Sequence, residues 1–237
     1  MHPQYSTLAR LSLDLSIAGR ETVGRHFSSR LDGGRVSRTG RQAAAVDNSV
    51  IRAMARWPNV PSVYGWMSLD RRGRWCLQGK PVLHRGAIGF MNRNYACTDR
   101  GLWYFQNGPQ RVFVDLEYTP LVFTLDGSRN LLDHTGRPAG QVLEAWIDEE
   151  GNLLLMGERG IGLLCDRDLQ SLADDFHYED DSVCDEEGIA SLLEGSAATS
   201  VHLNWYGQRI PIATIQRQRV AEEFGFEPRP RADDVDE

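Results

Sequence analysis

Lysine is nearly missing from this chain: Lys80 stands alone beside 25 arginines. We read the imbalance as the coding bias of a GC-rich bacterial genome, not as a functional choice. Long apolar runs are missing as well. No stretch approaches the ~18 residues of a membrane-crossing helix, so no membrane span is expected. Cysteine is sparse, and Cys76, Cys97, Cys165 and Cys184 form no Cys-x-x-Cys pair. That spacing argues against a disulfide framework. Reduced thiols in a cytoplasmic protein are the expectation.

Catalytic signatures are missing too. There is no Gly-x-Ser-x-Gly elbow, no P-loop and no Gly-x-Gly-x-x-Gly; Gly160-Ile161-Gly162 lacks the rest of that fingerprint. His84 with Cys76, and His177 with Cys184, lack the spacing that presents two ligands to one ion. No catalytic residue, metal or cofactor is therefore assigned. An enzyme built from dispersed residues leaves no linear trace and stays open as an alternative.

Charge is present but uneven. The net charge is −7. Residues 1–46 carry seven basic and three acidic groups, residues 47–140 twelve and seven, and residues 141–237 seven and 23. A basic front and an acidic rear either mark an interaction surface or dock on each other. Residues 1–46, rich in Arg, Ser and Gly, are expected to be disordered.

Turn chemistry is abundant. Gly65-Trp66-Met67-Ser68-Leu69-Asp70-Arg71-Arg72-Gly73-Arg74-Trp75 and Asn94-Tyr95-Ala96-Cys97-Thr98-Asp99-Arg100-Gly101-Leu102-Trp103 are two versions of one phrase. In both, an Asp is read as capping a turn closed by a Gly, and an aromatic returns two residues later. The alternation Val112, Val114, Leu116, Tyr118 predicts a half-buried strand, with Phe113 out of pattern. Further strands are predicted at 63–69, 74–78, 102–106, 121–125, 142–147, 153–156, 161–164 and 201–206. Helices are predicted at 48–56, 166–176, 185–193 and 211–224. The fold class follows: α+β, mainly antiparallel β, a curved sheet, sandwich or partly open barrel of hairpins. Residues 47–165 form the hairpin-rich domain, residues 166–230 a smaller helical C-terminal part packed on it, and residues 231–237 an acidic tail.

Within Pro61–Leu125, four stretches stand out: Gly65-Trp66, Leu69 to Trp75, Asn92-Arg93-Asn94-Tyr95, and Phe105 to Val114. On these residues the segment resembles an uncharacterised bacterial family, a domain of unknown function. The resemblance covers a quarter to a third of the chain and implies a bacterial, cytoplasmic protein. It brings no activity with it.

The candidate binding residues are Asn92, Arg93, Asn94, Tyr95, Trp103, Gln106, Asn107, Gln110 and Arg111. Amides and Arg at hairpin ends offer directional donors beside flat aromatic faces. The plainer and heavier reading is turn chemistry, with Asn107-Gly108-Pro109 forming an ordinary reversal. Trp66, Trp75 and Trp103 read first as sheet core. The acidic run from Asp174 to Glu187 reads first as a solvated loop, and second as an interaction surface. A non-enzymatic binding or accessory protein, with an unknown protein or small-molecule partner, is the preferred function. Nucleic-acid binding through the Arg-rich front half is the other alternative.

Overall fold

Hairpin turns set the architecture, and one turn recurs throughout. Oδ1 of Asp70, Asp133 and Asp148 accepts the backbone N–H two and four residues on. The residue three on, Gly73, Gly136 or Gly151, has φ of 75°, 82° or 81° and donates its N–H to the Asp carbonyl. Glycine adopts that left-handed conformation without a Cβ penalty. The second version of the phrase differs from expectation. Thr98, not Asp99, begins it: Thr98 Oγ1 accepts the Leu102 N–H at 3.1 Å, and Gly101 N–H reaches the Thr98 carbonyl.

The computed structural model describes residues 60–194 and 200–234, with Asn48, Ile51, Arg52 and Ala55, which are helical. The rest of the predicted 48–56 helix and the segment 1–46 lie outside the described residues. A first sheet comprises β1 (Val63–Leu69), β2 (Trp75–Leu77), β3 (Lys80–Pro81), β4 (Tyr95–Cys97), β5 (Trp103–Asn107) and β6 (Gln110–Leu116), with helix α1 (Arg85–Arg93) between β3 and β4. Its order is β3-β2-β1-β6-β5-β4. The second sheet comprises β7 (Leu121–Leu125), β8 (Leu131–Asp133), β9 (Glu144–Asp148), β10 (Leu153–Gly157), β11 (Gly160–Leu164), β12 (Phe176–Tyr178), β13 (Val201–Trp205) and β14 (Gln208–Ile215). Its order is β12-β13-β14-β9-β10-β11-β7-β8. One sheet curls into a half-barrel.

The protein is largely β, but the sheets are mixed. Strands β1 and β6, β7 and β11, and β9 and β14 pair in parallel. The connection order that produces two of these pairs occurs twice. Hairpin β1–β2 precedes the meander β4–β5–β6, whose last strand lies beside β1. Hairpin β7–β8 precedes the meander β9–β10–β11, whose last strand lies beside β7. Strands β12–β14 then extend the second sheet beyond β9.

Both sheets feed one core. Trp75, Tyr95, Trp103 and Phe105 of the first sheet join Leu121, Phe123, Leu154 and Leu155 of the second in a single buried cluster. The His134 ring lies edge-on to Trp75 and Tyr95, at centroid distances of 5.4 and 5.2 Å. Phe113 is 1% exposed yet lies on the sheet's other face, stacked on Tyr64 at 4.7 Å and against Tyr104 at 5.6 Å. Its break in the alternation reflects a sheet covered on both sides at that point.

The C-terminal part departs most from expectation. The 211–224 segment is not a helix: β14 runs to Ile215, followed by a 3-10 turn at Arg217–Arg219 and α4 (Val220–Glu223). Pro211 fits inside β14 because it lies opposite His202, at a non-hydrogen-bonded pair counted from the Trp205–Gln208 hairpin, and the β9 ladder starts only at Ile212. The 166–176 helix shrinks to α2 (Asp166–Leu169) and a 3-10 stretch, Gln170–Asp175, before β12 begins. Helix α3 (Glu186–Leu193) forms as predicted, with Asp185 accepting the Gly188 N–H at 2.9 Å. Helix α1 was not anticipated; His84 Nδ1 caps it at the Ala87 N–H. The chain end returns to the first sheet, where Leu116 N–H donates to the Pro228 carbonyl at 2.8 Å and Glu227 N–H to the Gly101 carbonyl at 3.1 Å. Among the described residues, no helix is long and apolar enough to cross a membrane.

Candidate functional site

The nine residues singled out in the sequence fall into three groups. Asn92, Tyr95 and Trp103 turn toward the core. Asn92 Oδ1 accepts the Trp75 indole N–H at 2.7 Å, and its amide donates to the His134 carbonyl at 3.3 Å. Tyr95 donates its hydroxyl to the Pro120 carbonyl at 3.0 Å, and burial pushes that hydroxyl well above its ordinary pKa. Asn94 and Gln106 are buried and serve nearby backbone, donating to the carbonyls of Phe90 and Gly108 at 2.9 and 3.0 Å. Arg93, Asn107, Gln110 and Arg111 lie further out. Arg93 offers its carbonyl to Arg137, Asn107 pairs with Gln110 across the turn, and Gln110 donates to the Pro61 carbonyl. The Arg111 guanidinium sits 5.0 Å over the Tyr104 ring. The hydrogen bonds of Asn92, Asn94, Tyr95 and Gln106 described here serve core packing, helix capping and turn closure.

A second constellation, at the β12 end of the second sheet, went unnoticed in the sequence. Side chains alternate across a strand, so register fixes which share a face. Phe176 pairs with Leu203 and His177 with His202, and Asp175, just before β12, lines a cleft together with Asn204. On β14, Arg209 lies opposite Asn204. The rings of His177 and His202 stack at 5.7 Å. His202 Nε2 is buried without a hydrogen-bond partner and lies 3.4 Å from an Asp181 oxygen, while Arg209 reaches the same carboxylate at 3.3 Å. The two observations agree once angle is considered: the ion-pair distance is met and the hydrogen-bond geometry is not. Burial first, then the Arg209 charge, lowers the His202 pKa.

Beside this face is a cleft of about 270 Å³ lined by Arg129, Asp175, Asn204, Trp205, Tyr206 and Gly207. Arg129 reaches in from the β7–β8 turn and pairs with Asp175. Tyr206, 70% exposed, holds that turn by donating its hydroxyl to the Arg129 carbonyl at 2.9 Å. The backbone here is costly. Gln78, Arg129, Asp181 and Tyr206 are the non-glycine residues with positive φ among those described; Arg129 and Tyr206 line the cleft, and Asp181 lies against His202 beside it. Arg129 occupies the place that Gly73, Gly136 and Gly151 hold in the sister turns, since Asp126 makes the same bonds to Ser128 and Asn130. That signal was in the sequence: Asp126-Gly127-Ser128-Arg129-Asn130 breaks the Asp-x-x-Gly rule.

The acidic run found in the sequence frames this site. Asp175 enters the cleft, Asp180 and Asp181 form the turn after β12, and Asp185 caps α3 while accepting the Tyr178 hydroxyl at 2.6 Å. Among the described residues, no group of three or more His, Cys, Asp or Glu side chains is arranged to hold a metal ion.

A mixed two-sheet β protein with a small polar-aromatic cleft at one sheet end is the class these features define. Residues 46–231 match the family DUF2944, described as a protein of unknown function (DUF2946), and the chain belongs to it. The kinship expected from residues 61–125 thus extends over most of the chain. No curated protein matches. Among solved structures, a DUF1285 family protein from Silicibacter pomeroyi DSS-3 is similar with a TM-score of 0.44 and 14% identity, over 74% of this chain and 91% of that one.

Proposed function

We propose that this chain is a non-enzymatic binding protein that holds a small ligand in the cleft between Arg129 and Tyr206. One observation carries the reading: Arg129 takes a left-handed backbone conformation at a turn position that is glycine in three equivalent turns. A non-glycine residue there costs about 1 kcal/mol or more, and such outliers gather at functional sites. The surface ion pair that Arg129 gains is worth ~0.2–1 kcal/mol, which at most matches the strain. A guanidinium held on a costly backbone at the lip of a cleft supports a binding role. The cleft volume lies just below the ~300–1,000 Å³ typical of drug-sized ligands, so the ligand is small.

Native mass spectrometry on protein purified gently from its own host tests this. The wild type is expected to carry a discrete small-molecule mass, and Arg129→Gly to lose it while its urea unfolding stays cooperative. A bare mass for both proteins, or an adduct unaffected by Arg129→Gly, contradicts the proposal.

A further inference from the structure

We infer that the ligand of this cleft is a neutral polyhydroxyl compound, a sugar or a sugar-like polyol. The inference rests on the cleft being the binding site and adds the chemical class. Three observations point there. First, the charges around the opening are balanced. Arg129 pairs with Asp175, and on the adjoining face Arg209 pairs with Asp181. An anion would meet the Asp175 carboxylate and the acidic rear half of the chain; a cation would meet the Arg129 guanidinium. A neutral ligand meets neither penalty.

Second, the hydrogen-bonding groups are of mixed kind. Arg129 only donates, Asp175 only accepts, and the Asn204 amide does both. A row of hydroxyls, each both donor and acceptor, can add to the Arg129–Asp175 pair and to the Asn204 amide alike; an apolar molecule offers these groups no hydrogen bond.

Third, an aromatic wall is exposed where the polar groups end. Tyr206 stands nearly perpendicular to Trp205, 86° between ring planes at 5.2 Å, and is 70% exposed. Its hydroxyl is occupied by the Arg129 carbonyl, so what it offers a ligand is its ring. A ring face suits the C–H side of a pyranose, which is apolar on one face and hydroxylated at its rim. Beside it Gly207 leaves open space: a Cβ built there meets nothing within 4 Å.

The test is two-dimensional NMR of the full chain titrated with neutral methyl glycosides (of glucose, galactose and mannose), with glucuronic acid and glucosamine as charged counterparts. Saturable shifts of the Trp205 indole and the Asn204 side-chain amide are expected with at least one neutral glycoside, and weaker ones with the charged sugars. Tyr206→Ala is expected to bind about tenfold more weakly than the wild type, and Tyr206→Phe, which keeps the ring but frees the Arg129 carbonyl, to bind more tightly than Tyr206→Ala. Preference for a charged sugar, or no shift with any glycoside, overturns the polyol class. The host-purified protein then separates the two failures. An adduct lost in Arg129→Gly leaves the cleft standing with another ligand, and no adduct removes the site as well.

Discussion

Acidification from pH 7 to pH 5 is expected to destabilise the fold through one ring. His134 is wedged between Trp75 and Tyr95. Its Nδ1 accepts the Val122 N–H at 3.4 Å, which leaves the proton on Nε2, a buried atom with no hydrogen-bond partner. Desolvation is the main reason its pKa falls from 6.5 to about 4; the nearby Arg159 charge adds to this and Asp133 opposes it. A histidine whose folded pKa is depressed is protonated first in the unfolded chain. Its contribution is fully present above pH 6.5 and is lost as pH falls toward 4. A gap of 2.5 units at 1.36 kcal/mol each is about 3 kcal/mol in all, of which about 2 kcal/mol disappears between pH 7 and pH 5. Most carboxylates with lowered pKa values, such as Asp126 and Asp185, act below this window. His202 shares the window, so the comparison must be with a variant at position 134. His134→Phe keeps a ring between Trp75 and Tyr95 and removes the titration. Urea unfolding followed by tryptophan fluorescence at both pH values gives the two differences. The wild type should lose about 2 kcal/mol more than the variant. Equal losses would show that His134 does not titrate as a buried, desolvated group.

Other substitutions probe the joints of the fold. Asp133 is fully buried and pairs with Arg159 while capping its own turn; Asp133→Ala strands the guanidinium and should cost ~3–5 kcal/mol in the same unfolding assay. Gly101 has φ 82°, and a Cβ there would lie 2.2 Å from the Gly225 carbonyl oxygen. Gly101→Ala should therefore lose at least ~2 kcal/mol from strain and overpacking together, read as a lower urea midpoint, and should speed hydrogen exchange at Glu227, whose N–H binds the Gly101 carbonyl.

Local pattern carried much of the fold into the sequence. The strands at 63–69 and 121–125 were legible from alternation and flanking turns, and α3 from its Asp185 cap. What stayed hidden was non-local. Parallel pairs such as β1–β6 and β9–β14 bring together segments that no short window relates. Helix α1 hid behind Gly86 and Gly89, both poor helix formers. Strand β14 hid behind Pro211 and the polar run Gln216 to Arg219, which read as a helix. The nine site candidates were recognisable as polar-aromatic, but sequence alone does not say that Asn94 and Gln106 spend their amides on nearby carbonyls. The β12-end face was doubly obscured. Its strands are separated by α3, and its strongest sign, Arg129 in a glycine's place, emerges only when the four Asp turns are laid side by side.

The central claim is that Arg129 is kept at the expense of stability, and the equilibrium stability of Arg129→Gly beside Arg129→Ala tests it most directly. Arg129→Gly should be as stable as the wild type or more stable by up to ~1 kcal/mol, and more stable than Arg129→Ala by about 1 kcal/mol, since only glycine relaxes the left-handed backbone. A loss of about 2 kcal/mol or more in Arg129→Gly would contradict the account and make the Arg129–Asp175 pair a strut of the fold.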